Sequence, residues 1–183
     1  MEKGASESLK SGNSEVKRVV FIGAECTGKS TIARAIATRL GEPCSTEYVR
    51  HYVDQLDRPL IQDDLDPIAR GQLSLEDEAF SEASHYVIHD TNILSSILYA
   101  EHYFSTHIDW VDDTFSKRLY DTYFLCQPDM LWVADPGQRE GPREREEMQK
   151  RFEEILNRYE IQYESLGGSV EQRLETVVRC LRG

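Results

Sequence analysis

The octapeptide Gly23, Ala24, Glu25, Cys26, Thr27, Gly28, Lys29, Ser30 carries the clearest chemistry in the chain, because it fits the pattern GxxxxGK[ST] at every fixed position. Glycines at that spacing let backbone N–H groups turn inward around an anion, and a helix opening behind them adds partial positive charge. Lys29 is placed to reach β- and γ-phosphates, the Ser30 hydroxyl to ligate Mg²⁺, and Thr31 to meet an α-phosphate. The expected ligands are therefore ATP and Mg²⁺; no N-K-x-D motif for reading guanine occurs. Glu25 is a negative charge beside a bound anion, so its side chain is expected to point away, toward substrate or metal-bound water. Cys26 reads as a small loop residue rather than a nucleophile.

A loop that holds a triphosphate needs partners if the phosphoryl group is to move: an acid that orders the metal and one that accepts a hydroxyl proton. Glu47 and Asp90 are the candidates. Asp90 closes the apolar run HYVIHD, where it could order the metal or cap the next helix. Glu47 lies in STEYVR, as a base or substrate-binding acid or as the ion-pair partner of Arg50. The segment ADPGQREGPRER combines Pro, Gly and the cations Arg139, Arg143 and Arg145, the composition of a hinged cover over developing negative charge. Arg139 is the first choice within it and Arg143 the second; a solvated loop and helix start is the alternative. Trp132, Tyr48, Tyr52, Tyr99 and Tyr103 could stack on a planar ligand or serve as core. The five histidines and four cysteines lack metal-ligand spacing and read as structural residues and free thiols.

The elements that must position these residues follow from the apolar pattern. KRVVFIG is a strand buried on both faces, and TIARAIATRL has helical period and stops at Gly41. Further strands are expected at about 44–49, at HYVIHD, at DMLWVAD ending in Asp135, and at about 162–166. Between them, helices are expected at about 67–84, at ILSSILYAEHYF, at FSKRLYDTYFL and at REREEMQKRFEEILNRY, with a closing helix at about 170–181. Strands alternating with helices imply right-handed crossovers and a covered parallel sheet. The fold class is α/β, a P-loop NTPase three-layer sandwich with five parallel strands, in which ligands sit at the carboxyl ends of the strands.

Composition limits the partners. The 183 residues suit one free-standing domain over 17–183, preceded by a polar segment, 1–16, too poor in apolar side chains to order itself. A net charge of −12 without a basic run argues against nucleic acid, and the absence of a long apolar stretch argues against a membrane span or signal peptide. A cytoplasmic location is expected.

FIGAECTGKSTIA, TEYVRHYV, ARGQ, HDTN, LYAEHYF and WVADPGQRE, in that order, resemble the nicotinamide riboside kinase domain of NadR-type regulators and related P-loop small-molecule kinases among AAA-like ATPases. The resemblance implies ATP·Mg²⁺ as donor and a nucleoside-like acceptor, nicotinamide riboside being the first choice, converted to nicotinamide mononucleotide. It also implies that Glu47, Tyr48, Arg50 and Asp90 line the acceptor site or metal, with Trp132 and Arg139 near the cover. The other readings are a kinase for another nucleoside or nucleotide, and a regulatory ATPase in which nucleotide orders a surface for a protein partner.

Overall fold

The computed structural model describes residues 16–131 and 141–182. Five parallel strands form one sheet: β1 (Lys17–Ile22), β2 (Cys44–Ser45), β3 (Tyr86–Asp90), β4 (Thr122–Cys126) and β5 (Tyr163–Leu166), in the order β2-β3-β1-β4-β5. The helices are α1 (Lys29–Leu40), α2 (Tyr48–Val53), α3 (Leu65–Glu82), α4 (Leu94–Phe104), α5 (Asp109–Lys117), α6 (Pro142–Arg158) and α7 (Val170–Arg182). The P-loop α/β sandwich expected from the sequence is the observed fold.

The central strands read as continuous apolar runs because each face of the sheet is covered. In β1, Val20 and Ile22 enter one core while Val19 and Phe21 enter the other, and β4 divides likewise into Tyr123 and Leu125 against Phe124 and Cys126. The first core is closed by α3, α4, α5 and α6, and the second by α1 and α7. Ile32 and Ile36, one turn apart on α1, are almost wholly enclosed in the second core. Burial at this level contributes about 1.5–3 kcal/mol for each such side chain, so packing holds α1 in place behind the loop that precedes it.

One strand differs from expectation. TYFLC is the fourth strand among the described residues, and it pairs with β1 in the register Val19↔Thr122 to Ile22↔Leu125. FSKRLYDTYFL is therefore not one helix: α5 ends at Lys117 and β4 begins at Thr122. A short apolar run does not reveal its period, and here β-branched and aromatic content with two-sided burial decides for strand. Asp121 marks the changeover, its carboxylate accepting the Arg18 backbone N–H at 2.7 Å. Asp129 to Leu131 form no strand and Leu131 is 92% exposed, while Trp132, Asp135 and Arg139 lie outside the described residues. So does the polar N-terminal segment apart from Val16.

The expected second strand is also shorter than its apolar pattern. Only Cys44 and Ser45 pair with β3, and Glu47 already occupies the cap position of α2. Within the described residues, no helix is long and apolar enough to cross a membrane.

Candidate active site

β1 leads directly into Gly23–Ser30 at the middle of the sheet, where neighbouring strands on either side leave a crevice at their carboxyl ends. Gly28 caps α1 with φ 81°, a left-handed conformation that favours glycine, and a Cβ there would lie 2.9 Å from the Met130 sulfur. No side chain caps α1 and its first turn carries no acid, so its leading N–H groups remain suited to an anion. Lys29 Nζ and Thr27 Oγ1 both donate to the Ala24 carbonyl, each at 2.8 Å. Beneath the loop, Ala24 N donates to Gln149 Oε1 at 3.0 Å, while Gln149 Nε2 donates to Cys126 O at 3.2 Å.

Asp90 ends β3 opposite Phe21, so register alone brings it beside the loop. It is 3% exposed and shares a hydrogen bond with the Ser30 hydroxyl. Burial raises its pKa and the Glu47 charge adds to the rise, outweighing the opposing pull of Ser30, Lys29 and Arg50. Its Oδ1 is buried without a hydrogen-bond partner. Asp90 does not cap α4, whose cap position is Ile93. An orphan carboxylate oxygen beside a serine hydroxyl fits Mg²⁺, which is held by one or two protein oxygens together with phosphates and water. Among the described residues, no group of three or more His, Cys, Asp or Glu is placed to hold a metal.

Glu47, 8% exposed, accepts a hydrogen bond from Arg50 Nε at 2.8 Å. Burial lowers the Arg50 pKa, but the Glu47 contact and the charges of Glu47, Glu25 and Asp90 prevail and raise it. Glu25, Glu47 and Asp90 therefore converge electrostatically on one guanidinium. Tyr48 is held in two ways: its backbone N–H donates to Gln72 Oε1 at 2.9 Å, and its ring lies flat on α3 at Gly71, where a Cβ would stand 2.1 Å from the ring. Any larger residue at Gly71 would displace Tyr48 and the start of α2.

Other candidates fall elsewhere. Arg143 projects into solvent and pairs with Glu147 at 3.5 Å, whereas Arg145 turns inward and donates to Met130 O at 3.0 Å. Tyr52 donates to Asp64, and Tyr99 packs edge-on against Phe152 in the core. His89 is a core residue: Ser45 Oγ lies 2.8 Å from its Nδ1, and burial pushes its pKa down to about 3.

Four polar residues that sequence reasoning missed bind these parts together: Gln72, Glu76, Gln149 and Arg173. Glu76, one turn beyond Gln72, accepts from Ile93 N at 2.9 Å and from the Tyr120 hydroxyl at 2.6 Å. Burial pushes its pKa up to about 7 against those contacts and Arg118. Arg173 reaches the phosphate loop from α7, donating to Thr27 O at 2.6 Å. Each of these residues interrupts an apolar helix stripe, and that interruption is the signal the sequence holds.

Comparison with known proteins places the fold. A family model described as an AAA domain matches residues 18–173. The trifunctional NAD biosynthesis/regulator protein NadR of Escherichia coli (strain K12) is 26% identical over 155 residues, a match spanning 81% of this chain and 37% of that protein. Two structures of a NadR protein superpose over 91% of this chain at 20% identity, one in complex with NAD and AMP-PNP (TM-score 0.76, 49% of that chain) and one with NR (TM-score 0.78, 51%). Deoxyadenosine kinase from M. mycoides, with products dCMP and dCDP bound, superposes with TM-score 0.64 at 16% identity, over 90% of this chain and 98% of its own.

Proposed function

This chain belongs to the AAA domain family of that model, and from that premise we propose that it is an ATP-dependent kinase for a nucleoside-like alcohol, with nicotinamide riboside as the acceptor. The observation that carries the reading is the meeting of Ser30, Asp90 and the Glu47–Arg50 pair at the carboxyl edge of the sheet beside the phosphate loop. A nucleotide switch needs the loop alone, whereas a kinase needs a second set of acids facing it. NadR, bound to AMP-PNP in one structure and NR in another, supports both ligands.

In this reading the backbone N–H groups of the loop and Lys29 hold the phosphates, and Ser30 and Asp90 would hold Mg²⁺. An ion held there would supply positive charge against the phosphates. Glu47, fixed by Arg50, orients the acceptor hydroxyl and takes its proton as the new oxygen–phosphorus bond forms. The bond between the γ-phosphorus and the bridging oxygen breaks, and ADP leaves with that oxygen. Tyr48 and Arg50 bound the acceptor, and Glu25 adds negative charge on the same side.

The test is ADP release from ATP·Mg²⁺ with nicotinamide riboside, common nucleosides, nucleoside monophosphates or no acceptor, with products weighed by mass spectrometry. The expected result is nicotinamide mononucleotide in amounts equal to the ADP formed. ADP release indifferent to every acceptor would overturn the kinase reading.

A further inference from the structure

Arg173 heads the fully enclosed side chains by size among the described residues, at 1% exposure. It sits on a helix face otherwise carrying Val170, Leu174, Val177 and Leu181, where an aliphatic residue would satisfy the core. Burying a guanidinium costs several kcal/mol unless its donors are met. They are met by three separate turns: Nη1 donates to Thr27 O at 2.6 Å, Nε to Gly168 O at 3.1 Å, and Nη2 to Gln127 O at 3.2 Å and to the Asp129 carboxylate. Thr27 belongs to the phosphate loop, Gln127 and Asp129 follow β4, and Gly168 lies between β5 and α7.

We infer that Arg173 is a positioning residue of the phosphate loop, directing the Gly28 N–H toward the nucleotide by holding the Thr27 carbonyl on the opposite side; the inference rests on the nucleotide-binding reading above. In a trans peptide unit the carbonyl and the following N–H point in opposite directions, and the described chain contains no cis peptide. Drawing Thr27 O toward Arg173 therefore turns Gly28 N–H away from α7. The loop has little room to relax the other way, because Gly28 already lies against Met130, with Arg173 Nη1 3.7 Å from where its Cβ would be. A preset N–H costs no reorganisation when phosphate arrives, which is where anion-binding loops gain their strength. Asp129 offsets the arginine charge and aims its fork, so that the contact works through the geometry of Thr27.

The experiment uses the full chain as wild type, Arg173→Lys and Asp129→Asn, with ATP·Mg²⁺ binding measured by calorimetry without acceptor, alongside the Tm of each protein. Lysine keeps the charge but cannot serve three turns at once, so ATP affinity should fall about tenfold or more, the scale of one charge-assisted hydrogen bond. Asp129→Asn loosens the fork while leaving Thr27 in reach, and should weaken ATP about threefold. In turnover the KM for ATP should rise while kcat and the KM for the acceptor stay near wild type. A purely structural arginine would lower Tm and leave the ATP affinity of the folded variants unchanged, which would overturn the assignment, as would parallel loss of ATP and acceptor binding. Should Arg173→Lys not fold, unchanged ATP affinity in Asp129→Asn overturns it by itself. Wild type that does not bind ATP sinks the nucleotide reading and this one together. Wild type that binds ATP but phosphorylates nothing sinks only the kinase reading, and the ATP affinities still decide the role of Arg173.

Discussion

On the nucleotide side, the loop is clamped from beneath by Gln149 and Arg173, and its first helix is anchored by the buried pair Ile32 and Ile36. The side proposed for the acceptor is hung rather than clamped: α2 is six residues long with no buried side chain, tied to α3 by the Gln72 contact and by the Tyr48 ring on Gly71. Phosphate is recognised by backbone amides, whose directions must be fixed by surrounding packing. In the proposed reading an acceptor would be recognised by side chains on a lightly attached element, which can change without disturbing the loop. In that reading the contrast suits one donor site kept beside an exchangeable acceptor site.

If the two sides are separable in this way, substitutions should divide cleanly between them. The largest effect is expected from Lys29→Ala, which removes the cation from the phosphates and should cut kcat by about a thousandfold while weakening ATP binding. Glu47→Gln should lower kcat by about a hundredfold or more and leave ATP affinity intact by calorimetry. Equal loss of ATP binding in Glu47→Gln would break the comparison. Gly71→Ala drives a methyl group into the Tyr48 ring, costs about 1–3 kcal/mol of strain, and should raise the acceptor KM about tenfold without moving the KM for ATP.

A subtler test lies in the joint between the sides. Glu76 has its pKa raised by burial from an ordinary 4.5 to about 7, so its neutral form favours the fold. That contribution is full below about pH 4.5 and is lost as pH rises through about 7. Glu76→Gln should therefore flatten the fall of Tm between pH 5 and about 8, an effect of about 3 kcal/mol at most. A Tm profile parallel to that of wild type would show that Glu76 does not titrate with unfolding. The smallest effect belongs to Arg143→Ala: the side chain pairs in solvent with Glu147, and kcat and both KM values should stay within about twofold.

Much of the nucleotide side was legible because its determinants are contiguous. Gly28, Lys29 and Ser30 are neighbours, and the strand before them and helix after them follow from local apolar period. Asp90 was legible as the last residue of an apolar strand, since strand ends face the ligand in a parallel sheet. The fourth strand was misplaced because TYFLC is an apolar run too short to show its period. Charge near a Pro and Gly segment does not tell which side of a helix a residue faces: Arg143 faces solvent, and Arg145, two residues on, is the one turned inward.

By itself, then, the sequence determined the loop, the alternation of strand and helix, and the two acids worth watching, all properties of residues close together along the chain. Only the tertiary structure decided that the Glu47–Arg50 pair lies within electrostatic reach of Asp90, that Tyr48 rests on Gly71, and that Arg173 reaches Thr27 across 146 residues. The physical reason is that a polar residue on an apolar stripe announces only that it must find partners. Which partners it finds depends on the order in which the strands are laid side by side, and that order is settled by packing both faces of the sheet at once.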